Sequence, residues 1–71
     1  MYVQLPESVE SIGSRAFADC NNLRCIYIPE KTTRVSNNAF ENNQNLTIWG
    51  AEGSYVEFYA GKMGYVFKII G

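Results

Sequence analysis

The side chains able to do chemistry are few and scattered. They are Ser8, Ser11 and Ser14, the thiols of Cys20 and Cys25, and the carboxylates of Glu7 and Glu30, in a chain without histidine. A serine or cysteine nucleophile needs a base within hydrogen-bond reach, and histidine is the side chain that titrates near neutral pH. None of the three serines has a basic partner at a recognisable spacing. Two thiols alone make no metal site. Cys20 and Cys25 read most simply as small apolar residues, one in a turn and one on a strand. Glu7 and Glu30 are the one carboxylate pair whose spacing suggests juxtaposition, although solvated turn residues are the plainer reading. The glycines form no G-x-G-x-x-G and no P-loop. No cofactor, metal or enzymatic activity is expected.

The separation of Glu7 from Glu30 belongs to a longer pattern. Val3, Leu5, Pro6, Glu7, Ile12, Ala16, Phe17, Asn22 and Leu23 recur as Ile26, Ile28, Pro29, Glu30, Val35, Ala39, Phe40, Asn45 and Leu46. Each pair is 23 residues apart, with six identities and three aliphatic exchanges. A fixed period of this length marks stacked repeats, in which each unit buries its apolar face on the next. The expected organisation is a single domain: a first repeat over 1–22, a second over 23–45, and a last strand with a C-terminal cap over 46–71. Both Asn22 and Asn45 read as corner residues, and 42–45 as a polar turn.

Within a repeat, Leu23, Ile26 and Ile28 follow L-x-x-I-x-I, whose last two apolar residues share one face of a strand. Pro29, lacking an N–H, ends that strand. Stacking then places Val3 against Ile26, Leu5 against Ile28 and Phe17 against Phe40. The intervening residues point away from the core in two columns, Gln4, Tyr27, Trp49 and Tyr2, Cys25, Thr47, so that Tyr27 and Trp49 should touch. Exposed tyrosine, tryptophan and arginine are residue types enriched at binding hot spots. The candidate partner-binding residues are therefore Gln4, Arg24, Tyr27 and Trp49. Ser14–Ala18 is expected to form a single helical turn. After Gly50 the repeat stops. Ser54 and Glu57 read as a capping box, opening a helix to Met63 with Val56, Tyr59, Ala60 and Met63 on one face. Gly64 suits its C′ position, and Tyr65–Ile70 reads as a last strand.

Seven acidic and six basic residues are spread evenly and give a net charge of -1. Without a basic block, nucleic-acid binding through phosphate neutralisation is not expected. No apolar run approaches the length of a membrane span, and no signal peptide is apparent in this segment.

With these residues in hand, the chain resembles the BspA-like leucine-rich repeats of bacterial surface proteins. The resemblance rests on Leu5-Pro6-Glu7-Ser8-Val9-Glu10-Ser11-Ile12-Gly13, Ile28-Pro29, Ala16-Phe17 and Cys20, and on Leu46–Gly50 with Gly53-Ser54-Tyr55 and Tyr59-Ala60. Asn43 in place of the turn cysteine, and Thr32 and Ser36 in the second repeat, depart from the pattern. The resemblance implies an α/β leucine-rich-repeat solenoid with a helix-strand cap. It also implies a cell-surface or secreted location and a non-catalytic role in adhesion or protein recognition, with a protein or host-surface ligand as partner. The leading leucine of the first repeat would fall just before Met1, so the chain reads as entering mid-strand. Its first strand is then an edge expected to fray or to self-associate.

Overall fold

The computed structural model describes residues 1–43 and 45–70; Gln44, in the polar turn read from the sequence, and Gly71 lie outside the described residues. Six strands and a helix follow in the order β1 (Tyr2–Gln4), β2 (Ser11–Ile12), β3 (Cys25–Tyr27), β4 (Arg34–Val35), β5 (Thr47–Gly50), α1 (Tyr55–Met63) and β6 (Val66–Ile69). The 23-residue period appears as parallel register. Val3 lies opposite Ile26 and Gln4 opposite Tyr27, while Ile12 lies opposite Val35. Between β3 and β5 the step shortens by one residue, placing Ile48 opposite Ile26 and Trp49 opposite Tyr27. The main sheet runs β1-β3-β5-β6, and β2 with β4 forms a second, two-stranded sheet. Parallel neighbours need crossover connections. The repeat turns supply them first, and α1 supplies the one between β5 and β6. This is an α/β repeat fold.

The apolar points of the second repeat form the centre of the core. Leu23, Ile26, Ile28, Val35, Ala39 and Phe40 are buried together with Leu46, Ile48, Val56, Tyr59 and Ala60. Each large side chain taken from water contributes about 1.5–3 kcal/mol. In the first repeat Ile12 is buried with them, whereas Val3, Leu5, Val9 and Phe17 are only half-buried against that core. Phe17 stacks on Phe40 as the period requires, centroids 5.5 Å apart and planes 8° from parallel. Phe17 remains half-buried.

Two departures from the repeat are used as ties between coils. Thr32, standing where the first repeat has Val9, is fully buried and its Oγ1 donates to the Val9 carbonyl at 2.7 Å. Asn43, in the place of Cys20, is 5% exposed. Its Nδ2 donates to the carbonyls of Phe17 at 2.7 Å and Phe40 at 3.1 Å. A buried carbonyl left without a donor is costly, so these side chains satisfy carbonyls at the coil boundary, although Asn43 Oδ1 is itself buried without a partner among the described residues. At the other end of the core the tyrosines do the same work. Tyr59 donates its hydroxyl to the Ser36 carbonyl at 2.9 Å and Tyr65 to the Phe40 carbonyl at 3.3 Å.

The segment expected to hold one helical turn is instead a run of turns. Arg15 and Asp19 adopt φ 56° and 59°, values incompatible with a continuing right-handed helix. Asn42, the repeat equivalent of Asp19, has φ 66° and donates its amide to Asp19 Oδ1 at 2.6 Å. Asx residues tolerate this conformation better than most, which lets the same reversal recur in each coil.

Helix α1 begins where the sequence places it, but only part of the capping box forms. Ser54 Oγ donates backward to the Ala51 carbonyl at 2.7 Å instead of capping the helix. Glu57 reaches back to the Gly53 N–H at 2.7 Å. Gly64, at φ 82°, closes the far end in the left-handed conformation. Val56, Tyr59 and Ala60 are buried, while Met63 is half-buried. Gly50 makes this packing possible: a Cβ there would lie 2.7 Å from Val56 Cγ1 and 3.2 Å from Phe67 Cε1.

Candidate partner-binding face

The outward columns are fixed by strand register. Gln4, Tyr27 and Trp49 stand side by side, as do Tyr2, Cys25 and Thr47. Strand β6 extends the columns by Lys68 and Val66 respectively. Those two were missed by sequence reasoning because β6 follows no repeat period. The signal for them was present in the alternation that sets Val66 and Lys68 opposite in face to Tyr65, Phe67 and Ile69. Gln4 and Lys68 are exposed, whereas Tyr27 and Trp49 are half-buried by their neighbours. Trp49 is thus on the outer face, on the side opposite to the buried Ile48 and Gly50.

Tyr27 is tied to the turn that follows β1. Its hydroxyl donates to Glu7 Oε2 at 2.9 Å. This bond, with burial and the negative charges of Glu7 and Glu30, raises the phenol above its ordinary value. The glutamates one repeat apart therefore both bear on Tyr27, and Glu7 spends one oxygen on it. Beside this pair a groove of about 260 Å³ is lined by Tyr2, Gln4, Glu7, Tyr27 and Ile70. A larger depression of about 340 Å³ lies at the coil corner among Asn21, Leu23, Asn42, Asn43 and Asn45. It is away from the aromatic columns.

Of the four candidate residues the structure brings three into one column and leaves out Arg24. Arg24 precedes β3, is exposed, and does not line the groove. Its backbone is held, the N–H by Met1 O at 3.0 Å and the carbonyl by Thr47 N at 2.8 Å. The expected contact of Tyr27 with Trp49 takes the form of strand adjacency. Among the described residues the ring pairs are formed by Phe17, Phe40, Tyr55, Phe58, Tyr59 and Tyr65 instead. Cys20 and Cys25 are free thiols. Among the described residues no three His, Cys, Asp or Glu side chains gather to hold a metal, and no helix is long and apolar enough to cross a membrane. What the face offers is aromatic surface, an amide and hydrogen-bonding oxygens.

Parallel strands at a 23-residue step, with one face buried and the other presented, define a leucine-rich-repeat module. The family described as BspA type leucine-rich repeat region (6 copies) matches residues 1–60, and the chain belongs to it. The match takes in β1 to β5 and most of α1, and β6 lies beyond it. No curated protein and no solved structure matches the chain.

Proposed function

We propose that this chain is a non-catalytic recognition module of a bacterial cell-surface leucine-rich-repeat protein, engaging a protein or host-surface ligand through Gln4, Tyr27 and Trp49. One observation carries the reading. The outward column places these residues with Lys68 at consecutive strand positions, on backbone fixed by the sheet. Tyr27 and Trp49 are held half-open rather than packed under α1. Residues exposed on fixed strands bind at low entropic cost, because little ordering remains to be done. The surface location follows from the family's usual setting, and Arg24 contributes at most at the margin. The test is binding of the immobilised chain to a panel of purified extracellular-matrix proteins. A Tyr27→Ser/Trp49→Ser variant, shown folded by its thermal melt, is compared with Lys62→Ser on the helix. Loss of binding in the front-face variant alone supports the reading. Equal binding by both variants overturns it.

A second reading has its own observation: α1 and β6 pack over β5, with Val56, Tyr59 and Ala60 fully buried. In that reading the chain is the structural C-terminal cap of a longer solenoid. Deleting residues 51–71 should then give an aggregating product, since Ile28, Phe40 and Ile48 lose their cover. The outer edge of β1 is unpaired among the described residues, and we propose it as the edge for self-association, read by sedimentation over a concentration series.

A further inference from the structure

The groove beside Tyr27 has a chemistry narrower than general protein recognition. The charged group in its lining, the Glu7 carboxylate, is an acceptor. The Tyr27 proton is committed to Glu7 Oε2, so the phenol oxygen is left to accept. Glu7 Oε1 has no hydrogen-bond partner among the described residues, and Gln4 adds an amide that can accept as well as donate. Two glutamates, Glu7 and Glu30, place negative charge at the Tyr27 hydroxyl. Lys68 is the basic residue of the columns and sits beyond Trp49, two strands from Tyr27 in the order β3-β5-β6. At about 4.8 Å per strand that is roughly 10 Å, comparable to the screening length at physiological salt. The groove wall itself is therefore acidic at Glu7, with Arg24 and the Met1 ammonium placed together at the starts of β3 and β1, outside the groove lining, and Lys68 on β6.

We propose that this groove takes an arginine side chain of the partner protein, an inference that rests on the recognition reading above. A guanidinium carries five donors and no acceptor, the complement of this wall. Its planar face packs on the rings of Tyr2 and Tyr27, while its N–H groups reach Glu7 Oε1 and the phenol oxygen. The volume, about 260 Å³, is below the range of small-molecule pockets, about 300–1,000 Å³, and suits one side chain. Lysine has fewer donors and no plane to stack, so it binds less well.

The test is an NMR titration of the ¹⁵N-labelled chain with N-acetyl-arginine amide, N-acetyl-citrulline amide and N-acetyl-glutamate amide, at low and high salt. Citrulline keeps the size and plane and removes the charge. Arginine should be preferred over citrulline by roughly three- to thirtyfold at low salt, the combined scale of a cation–π contact and an exposed ion pair. Its shifts should fall on Tyr2, Gln4, Tyr27 and Ile70. Glu7→Gln, an exposed turn change whose folding the same spectrum reports, should weaken arginine binding roughly two- to fivefold. Equal binding of citrulline, preference for glutamate, shifts outside the groove, or no shift with any probe each overturns the arginine assignment. Failure of the recognition reading is seen separately, as front-face variants that bind matrix proteins as well as the unmodified chain.

Discussion

Replacing Phe40 with alanine should remove much of the stability of this chain, and replacing Phe17 should remove distinctly less. Phe40 is fully buried. It meets Phe17 at 5.5 Å, Tyr65 at 6.1 Å and Tyr59 at 6.3 Å between centroids, whereas Phe17 is half-buried and makes only the first of these contacts. Truncating a buried Phe costs about 3–5 kcal/mol, and each aromatic pair adds about 0.5–1.5 kcal/mol beyond area, so Phe40→Ala belongs at the upper end. At about 0.05–0.15 kcal/mol per residue, a chain of 71 residues has roughly 4–10 kcal/mol in all. Phe17→Ala, keeping part of its exposure in both states, should cost roughly half as much as Phe40→Ala. Urea unfolding followed by far-ultraviolet circular dichroism measures both. Should Phe40→Ala fail to fold, Phe40→Leu against Phe17→Leu preserves the comparison. Equal losses at the two positions would refute the view that the core is centred on the second coil and open beneath the first.

Gly50→Ala should cost about 1–3 kcal/mol by overpacking, because the new methyl would lie 2.7 Å from Val56 Cγ1. The loss should shrink in a Val56→Ala background, measured by a double-mutant cycle. Asn43→Cys, which restores the residue type of Cys20, should cost about 1–3 kcal/mol because the Phe17 carbonyl loses its donor. Stability in urea equal to that of the parent chain would show that the tie is dispensable. In alkali, burial and then the charges of Tyr65 and Tyr55 push the Tyr59 phenol up to about 12, from an ordinary 10.0. Tyr65 is also raised, by burial and by the charge of Glu41. The folded state then holds protons that the unfolded chain has released, so stability should fall as pH rises from about 10 to about 12. Urea midpoints that stay flat over that window would contradict the burial of these rings.

The parts of the fold legible in the sequence are those written in its period. Val3 with Ile26, Ile12 with Val35 and Phe17 with Phe40 meet because equivalent residues of stacked coils must share one core. The outward columns follow from the same alternation. The helix was readable from Val56, Tyr59 and Ala60, since spacing of 3.6 leaves one face to bury. The rest depends on partners that a period does not name. Thr32 and Asn43 looked like defects because their merit lies in carbonyls of the preceding coil. Phe67 pairs with Ile48 at a separation of 19 residues, outside the repeat, so the membership of β6 in the main sheet was hidden. Arg24 was grouped with the aromatics by residue type, and type says nothing about which way an entry to a strand points. The capping box formed only in its Glu57 half, because the Ser54 hydroxyl is turned back toward the Ala51 carbonyl, to which it donates, and accepts from no helix N–H.

The outward face and the coil boundary are mechanically one structure. Glu7 sits on the turn after β1, and that turn is held at both ends: Leu5 N–H by Tyr27 O at 3.2 Å, and Val9 N–H by Pro6 O at 3.1 Å. The Val9 carbonyl is pinned by the buried Thr32 hydroxyl of the second coil. The carboxylate that meets Tyr27 is therefore positioned by bonds between the first and second coils, not by the exposed face itself. The outward residues, by contrast, are constrained by little beyond compatibility with a strand. Identity at Gln4, Tyr27 and Trp49 is free to follow a partner's chemistry while Thr32, Asn43 and the stacked phenylalanines hold the geometry. Such a division lets one scaffold present many faces, because the residues that hold the stack and the residues it presents outward are different ones.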